Sequence, residues 1–126
     1  MSGSLVDTNV IIKLLNGDEE AIRLFDNAQD IAIPVTVLGE LFYGAYKSSR
    51  VQENLALFID FASNYPIISV DKEIAVAYGE IKTQLLRKGF TIPENDIWIA
   101  ATAQTHRRLL ISFDSHFKHI DGLQML

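Results

Sequence analysis

The sequence predicts an α/β fold in which a mostly parallel central sheet is layered between helices. Two observations predict it. Short apolar runs, each too brief for a helix, alternate with longer stretches of helical period. Acidic residues then fall just after those runs, where a parallel sheet places its functional groups at the carboxyl ends of its strands.

Leu5-Val6 reads as the first strand, followed by a helix over Asn9 to Leu15 and a second over Glu19 to Asn27. Ile31 to Val35 reads as the next strand, with helices over Thr36 to Lys47 and Val51 to Ala62. Ile67 to Val70 and Leu109 to Phe113 complete the set of buried strands, separated by helices over Lys72 to Arg87 and Pro93 to Arg108. Punctuation supports these limits. Gly17 and Gly89 stand at helix ends, Asp18 and Asp71 at N-cap positions, and Lys88, Arg107 and Arg108 where a helix C-terminus favours cations. Thr91-Ile92-Pro93-Glu94 fits a capping box for the last long helix.

The chain has 126 residues, the size of one domain, and 1–126 reads as a single unit that buries about two-thirds of its unfolded surface. With no cysteine, neither a disulfide nor a thiolate metal site is available, so any metal must be held by oxygen or imidazole. Met1-Ser2-Gly3-Ser4 lacks a basic segment and precedes no long apolar run, which argues against a secretory signal. No run is long enough to span a membrane, and a cytoplasmic location is expected. Eleven Lys and Arg against 16 Asp and Glu give a net charge of −5, the wrong sign for gripping nucleic acid through bulk electrostatics. A polyanionic substrate would need locally recruited positive charge.

Four acids are candidates for one end of the sheet. Asp7 follows the first strand, Asp114 follows the last, Asp96 lies in the first turn of the Pro93 to Arg108 helix, and Glu40 lies four residues into the helix after the second strand. Each has an ordinary structural explanation: a helix cap for Asp7, the macrodipole for Asp96, a solvated helix acid for Glu40 and a turn for Asp114. Taken together, those explanations require four acids to meet by accident. Two like charges 4 Å apart repel by about 4 kcal/mol at an effective dielectric near 20, so such a cluster needs protonation or a cation. An all-oxygen donor set suits Mg²⁺, with Mn²⁺ as a substitute.

Asp7-Thr8-Asn9, Glu40-Leu41-Phe42-Tyr43-Gly44-Ala45, Asn95-Asp96-Ile97-Trp98-Ile99-Ala100-Ala101 and Ser112-Phe113-Asp114-Ser115-His116-Phe117 together resemble the PIN-domain family, and within it the VapC-type toxins. The likeness runs in order from Asp7 to Gly122-Leu123. It implies a three-layer α/β/α fold and a metal-dependent endoribonuclease, the toxin half of a toxin–antitoxin pair. It also implies that Asp7, Glu40, Asp96 and Asp114 form the acidic quartet; on that footing Asp7 and Asp96 are expected to bind the principal metal directly, with Glu40 and Asp114 completing the site through direct contacts or ordered water. Thr8, Asn9 and Ser112 would then orient those ligands through hydrogen bonds. His116 could move a proton or meet a phosphate, although a lone histidine beside a turn is ordinarily just exposed. By the same likeness the partners are transfer or ribosomal RNA, a second copy of the chain, and a VapB-like antitoxin whose helix fills a groove and sends a basic side chain toward the acids.

Two departures from the pattern concern the acids. Gly39 precedes Glu40 where Ser or Ala is usual, and an interior glycine costs about 1 kcal/mol of helix propensity, so Glu40 is expected to be less firmly held. Ser112 replaces a threonine and keeps the hydroxyl. In addition, Gly3-Ser4 stands where apolar residues usually lead into the first strand. Lys13, Lys47, Arg50, Arg87 and Lys118 are candidate RNA contacts, and Phe42, Tyr43, Tyr46, Phe58 and Phe61 offer more aromatic surface than one core requires. Competing readings are a PIN-type RNA-processing or flap nuclease that is not a toxin and an inactive PIN-like binding module. A phosphatase with an aspartyl nucleophile would want a second Asp where Asn9 stands.

Overall fold

The structure, a computed structural model, describes residues 3–126; Met1 and Ser2, which belong to the N-terminal segment expected not to be a secretory signal, lie outside them. Its elements run β1 (Ser4–Val6), α1 (Thr8–Leu15), α2 (Glu19–Asn27), β2 (Ile31–Pro34), α3 (Val35–Lys47), α4 (Val51–Ala62), β3 (Ile67–Ile68), α5 (Lys72–Lys88), α6 (Glu94–Thr105), β4 (Leu109–Ile111) and a 3-10 helix over Ser115–His119. The four strands are parallel throughout and lie in the order β3-β2-β1-β4. Successive strand residues face opposite sides of a sheet, and Ser4, Leu5 and Val6 are all buried, so both faces of β1 are covered. That is the α/β/α layering expected.

The strand order carries the functional geometry. From β1 the chain builds outward through β2 to β3, then returns to add β4 on the opposite side of β1. The reversal opens a crevice at the carboxyl ends of β1 and β4, the switch point at which open parallel sheets bind ligands. Register fixes what meets there. Val6 pairs with Ile111, and the Asp7 N–H continues the ladder by donating to the Ile111 carbonyl at 2.9 Å, so Asp7 emerges beside Ser112.

Gly3 sets the entry to β1. Its φ is +87°, and a Cβ there would lie 2.5 Å from the Asp30 carbonyl oxygen, so only glycine fits. Ser4 is therefore a buried strand residue, and the Gly3-Ser4 departure from apolar residues is a packing requirement rather than a weak start to the strand. Asp18 and Asp71 cap α2 and α5 by accepting from Ala21 N–H and Ile74 N–H, each at 3.0 Å. Gly89 ends α5 in the left-handed conformation that glycine tolerates best.

Several limits differ from the sequence reading. Val35 opens α3 rather than closing β2, and β4 stops at Ile111, freeing 112–114 to form the turn that carries the last acid. The β3 run is an edge strand of two residues with Ile67 38% exposed, and Val70 falls outside it, so this run is not a buried strand. The capping box is also absent. Pro93 is the N-cap and makes no side-chain cap bond, Thr91 lies outside the helix, and Glu94 turns to α5, pairing with Lys82 Nζ at 2.5 Å and accepting from the Tyr78 hydroxyl. Arg108 does not serve the C-terminus of α6 as a helix-end cation. Its guanidinium donates to the carbonyls of Ser4 and Asp30, tying the start of β1 to the loop before β2.

Helix α6 is the most buried helix. Ile97, Ile99, Ala100, Ala101, Thr102 and Ala103 are all enclosed, because the run of small residues lets the helix sink against its neighbours. Deep seating of α6 carries its first turn inward, and Asp96 with it. Among the described residues no helix is long and apolar enough to cross a membrane.

A candidate metal centre at the sheet switch point

A cleft of about 310 Å³ opens at the carboxyl ends of β1 and β4 and is lined by Asp7, Glu40, Asp96 and Asp114 together with Thr8, Asn9, Asn95 and His116. All four candidate acids meet there. They form two overlapping groups rather than one: donor atoms of Asp7, Glu40 and Asp96 lie within 4.8 Å of one another, as do those of Asp96, Asp114 and His116. Asp96 belongs to both.

Asp7 is 2% exposed. Its carboxylate caps α1 by accepting from Thr8 N–H at 2.8 Å and takes the Ser112 hydroxyl at 2.7 Å. The ordinary helix-cap explanation and the functional placement thus coexist in one side chain, one oxygen on each duty. Ser112 Oγ also accepts the Asp114 N–H at 3.0 Å, so a single hydroxyl connects the first and last acids. Asn9 acts on the same turn by accepting the Phe113 N–H at 3.3 Å, and that engagement leaves it unlike the second nucleophile-site acid of an aspartyl phosphatase.

Glu40 is held more firmly than the glycine before it suggests. Thr8 Oγ1 donates to its Oε1 at 3.0 Å, and Asn95 Nδ2 donates to the same oxygen at 2.7 Å while also reaching the Thr36 carbonyl. Restraint comes from tertiary contacts, so the local propensity of Gly39 is outweighed. Both bonds fall on one oxygen, which leaves Oε2 unengaged among the described residues. Asn95 stands in the motif that resembles the PIN family, yet nothing in the sequence separates its side chain from that of an ordinary helix-opening asparagine. His116 is half-buried rather than free, with Nε2 2.6 Å from Asp96 Oδ2.

The electrostatics follow from burial. The Asp7 carboxyl is raised from its ordinary 3.8 to about 6: loss of solvent raises it most, the Ser112 and Thr8 hydrogen bonds offset part of that, and the charges of Asp96 and Asp114 add to the rise. Burial likewise raises Asp96, against the lowering effect of His116 and with the help of Glu40 and Asp114. Among the described residues no Lys or Arg forms an ion pair with any of the four acids. A pocket that concentrates carboxylates, raises the proton affinity of Asp7 and Asp96 and pairs none of the four acids with a lysine or arginine fits a small divalent cation. Oxygen donors within 4.8 Å of one another approach the spacing around an ion with bonds near 2.1 Å, and the set suits a hard cation with one imidazole at its edge.

The candidate RNA contacts lie around this face or away from it as ordinary surface cations. Lys13 sits over the Phe113 ring, 5.2 Å from its centroid and next to the Asp114 turn, while Lys47 covers Tyr43 and Arg50 pairs with Glu53. Arg87 and Lys118 are exposed. Of the five aromatics, Phe58 and Phe61 pack against the core, Phe42 is half-buried, and Tyr43 and Tyr46 are exposed on α3.

A parallel sheet with an acid cleft at its switch point defines an α/β protein whose clustered carboxylates could hold a cation. The family model for the PIN domain matches residues 4–123. A ribonuclease VapC2 of Haemophilus influenzae is 34% identical over 110 residues, covering 86% of this chain and 83% of the relative. A tRNA(fMet)-specific endonuclease VapC of Salmonella typhimurium is 31% identical over 124 residues, covering 96% and 94%. The crystal structure of DNA-bound VapBC from Salmonella typhimurium superposes with a TM-score of 0.90 at 29% identity, covering 100% of this chain and 98% of that one. The chain belongs to the PIN domain family. Within that family of metal-dependent nucleases it is similar to the VapC ribonucleases.

Proposed function

We propose that this protein is a Mg²⁺-dependent endoribonuclease, a VapC-like toxin that hydrolyses RNA phosphodiester bonds with Asp7, Glu40, Asp96 and Asp114 and is restrained by a cognate antitoxin. The meeting of all four acids in one cleft, with no lysine or arginine paired to them among the described residues, is the observation that supports it most. RNA cleavage named for the relatives agrees with that chemistry. Transfer or ribosomal RNA is the substrate class, and the cytoplasm is the compartment this reading requires.

Asp7 and Asp96 would hold the principal cation directly, with Glu40 and Asp114 completing the site. When bound, the cation supplies Lewis acidity: it offsets the charge of carboxylates and phosphodiester together, makes a water more acidic and stabilises charge on the leaving oxygen. The chain's own residues hold the geometry. Thr8 and Asn95 fix one oxygen of Glu40, so the other is presented without rotation. Ser112 keeps Asp7 and the Asp114 turn in register, and Asn9 restrains the same turn through the Phe113 N–H. Lys13, beside that turn, is placed to receive a phosphate of an incoming strand.

The antitoxin reading rests on a second feature. An apolar groove of about 210 Å³ between α1, α3 and α4 shares Ile12 and Glu40 with the acid cleft, and Leu15, Leu41, Leu57 and Phe58 line its floor and walls. A helix laid in it would end beside the acids, where a basic side chain could enter. The VapBC complexes similar to this chain are consistent with such a partner. Exposed Tyr43 and Tyr46 are the aromatic surface available to a second copy.

The test is sequencing of cleaved RNA ends after expression of wild type, Asp7→Asn and Asp96→Asn. Wild type is expected to leave discrete new ends and both variants to lose at least a hundredfold in cleavage rate while keeping the fold, about 2.7 kcal/mol or more in transition-state stabilisation. Undiminished Mg²⁺-dependent cleavage by Asp7→Asn would end this reading. Substrate profiling separates a toxin from an RNA-processing or flap nuclease of the same family, and a titration in which neither Mg²⁺ nor Mn²⁺ binds would favour an inactive module.

A further inference from the structure

The second donor group in the cleft contains a nitrogen. Asp96, Asp114 and His116 present one donor atom each within 4.8 Å of one another, and Asp96 also belongs to the all-carboxylate group with Asp7 and Glu40. The backbone determines where the imidazole points. Phe117 is fully buried and anchors the 3-10 helix Ser115–His119, while His116, one residue earlier, lies on the cleft side with its ring centroid 4.9 Å from that of Phe117. Its Nε2 faces the shared carboxylate at 2.6 Å from Asp96 Oδ2. The ring therefore stands where a cation on this side of Asp96 would sit among its donors, and a small separation of the two groups admits one.

We propose that His116 is a direct nitrogen ligand of a divalent cation held between Asp96 and Asp114, and that it shifts the preference of the centre from Mg²⁺ toward Mn²⁺ and other first-row transition ions. The inference rests on the proposed metal-dependent reading. Carboxylates alone serve Mg²⁺ and Mn²⁺ alike, whereas imidazole binds transition ions well and Mg²⁺ poorly. One histidine added to an acidic cleft thus separates two ions that the acids treat similarly.

Electron spin-echo spectroscopy of the intact Mn²⁺-loaded chain reads the ligand directly, because a coordinated imidazole modulates the echo at nitrogen-14 frequencies. Modulation is expected in wild type and absent in His116→Gln. Calorimetric titration of the metal-free chain gives the second readout: Mn²⁺ is expected to bind wild type at least tenfold more tightly relative to Mg²⁺ than it binds His116→Gln, with Mg²⁺ affinity changed less than threefold. Asp7→Asn should weaken Mg²⁺ binding and keep the nitrogen signal. Mn²⁺ binding without nitrogen modulation in wild type, or an unchanged Mn²⁺ to Mg²⁺ ratio in His116→Gln, overturns the role of His116 and leaves the metal-dependent reading standing. A wild-type chain that binds neither ion overturns both.

Discussion

Asp7→Asn in metal-free buffer isolates the electrostatic cost of building the cleft. The folded chain holds the Asp7 proton up to about pH 6, whereas the ordinary value is 3.8. A folded-state value above the unfolded one means that the native chain binds the proton more tightly, so its contribution favours folding at low pH and is lost as the pH rises from about 4 through 6. At about 1.4 kcal/mol per tenfold change in proton affinity, ionised Asp7 costs the native state about 3 kcal/mol above pH 7. Asparagine can still accept from Thr8 N–H and can donate to Ser112 Oγ, so it removes the charge at little loss of hydrogen bonding. Urea unfolding in EDTA should therefore give wild type and Asp7→Asn a stability difference that changes by about 2.4 kcal/mol in favour of the variant between pH 4 and pH 7.5. In thermal scans that is a shift of about 10 °C for a chain of this size. Added Mg²⁺ should stabilise wild type by mass action and leave the variant nearly unmoved. A difference flat across that pH range would refute the claim that burial of this carboxyl, unneutralised by any basic side chain, is what the cleft costs.

Gly39→Ala should stabilise the chain by about 1 kcal/mol in urea with RNA cleavage unchanged, because a methyl there meets nothing within 4 Å and removes an interior helix glycine. Gly3→Ala should destabilise by about 2 kcal/mol or more, since the new carbon would stand 2.5 Å from the Asp30 carbonyl at a φ of +87°. Asn95→Ala should cost about 1–2 kcal/mol in stability through the lost bonds to Glu40 and Thr36. It should also weaken Mg²⁺ binding about tenfold in calorimetry by freeing the Glu40 carboxylate to rotate.

What the sequence conveys about this molecule divides along the range of the interactions involved. The order of strands and helices is legible because each element buries its own apolar period, and Asp18, Asp71 and Gly89 announce helix ends through bonds made within a few residues. Asp7 and Asp114 are legible as neighbours because both follow strands of one parallel sheet, and the crossover that sets β4 beside β1 does the rest. Contacts between elements are not legible in this way. Glu94 has the spacing of a capping box, yet a lysine and a tyrosine on α5 offer it charge-assisted bonds that a threonine three residues before the helix does not match. Glu40 looks weakly held next to Gly39 until Thr8 and Asn95 are seen to converge on it from 32 and 55 residues away. His116 looks like a turn histidine until the burial of Phe117 orients its ring toward Asp96. In each case the deciding partner lies on another element or behind a buried anchor, and short-range periodicity carries no information about it. The acids are the instructive exception. Their mutual repulsion makes a chance meeting of four unfavourable, so a long-range arrangement leaves a trace in the sequence: carboxylates that follow strands or open the helices after them.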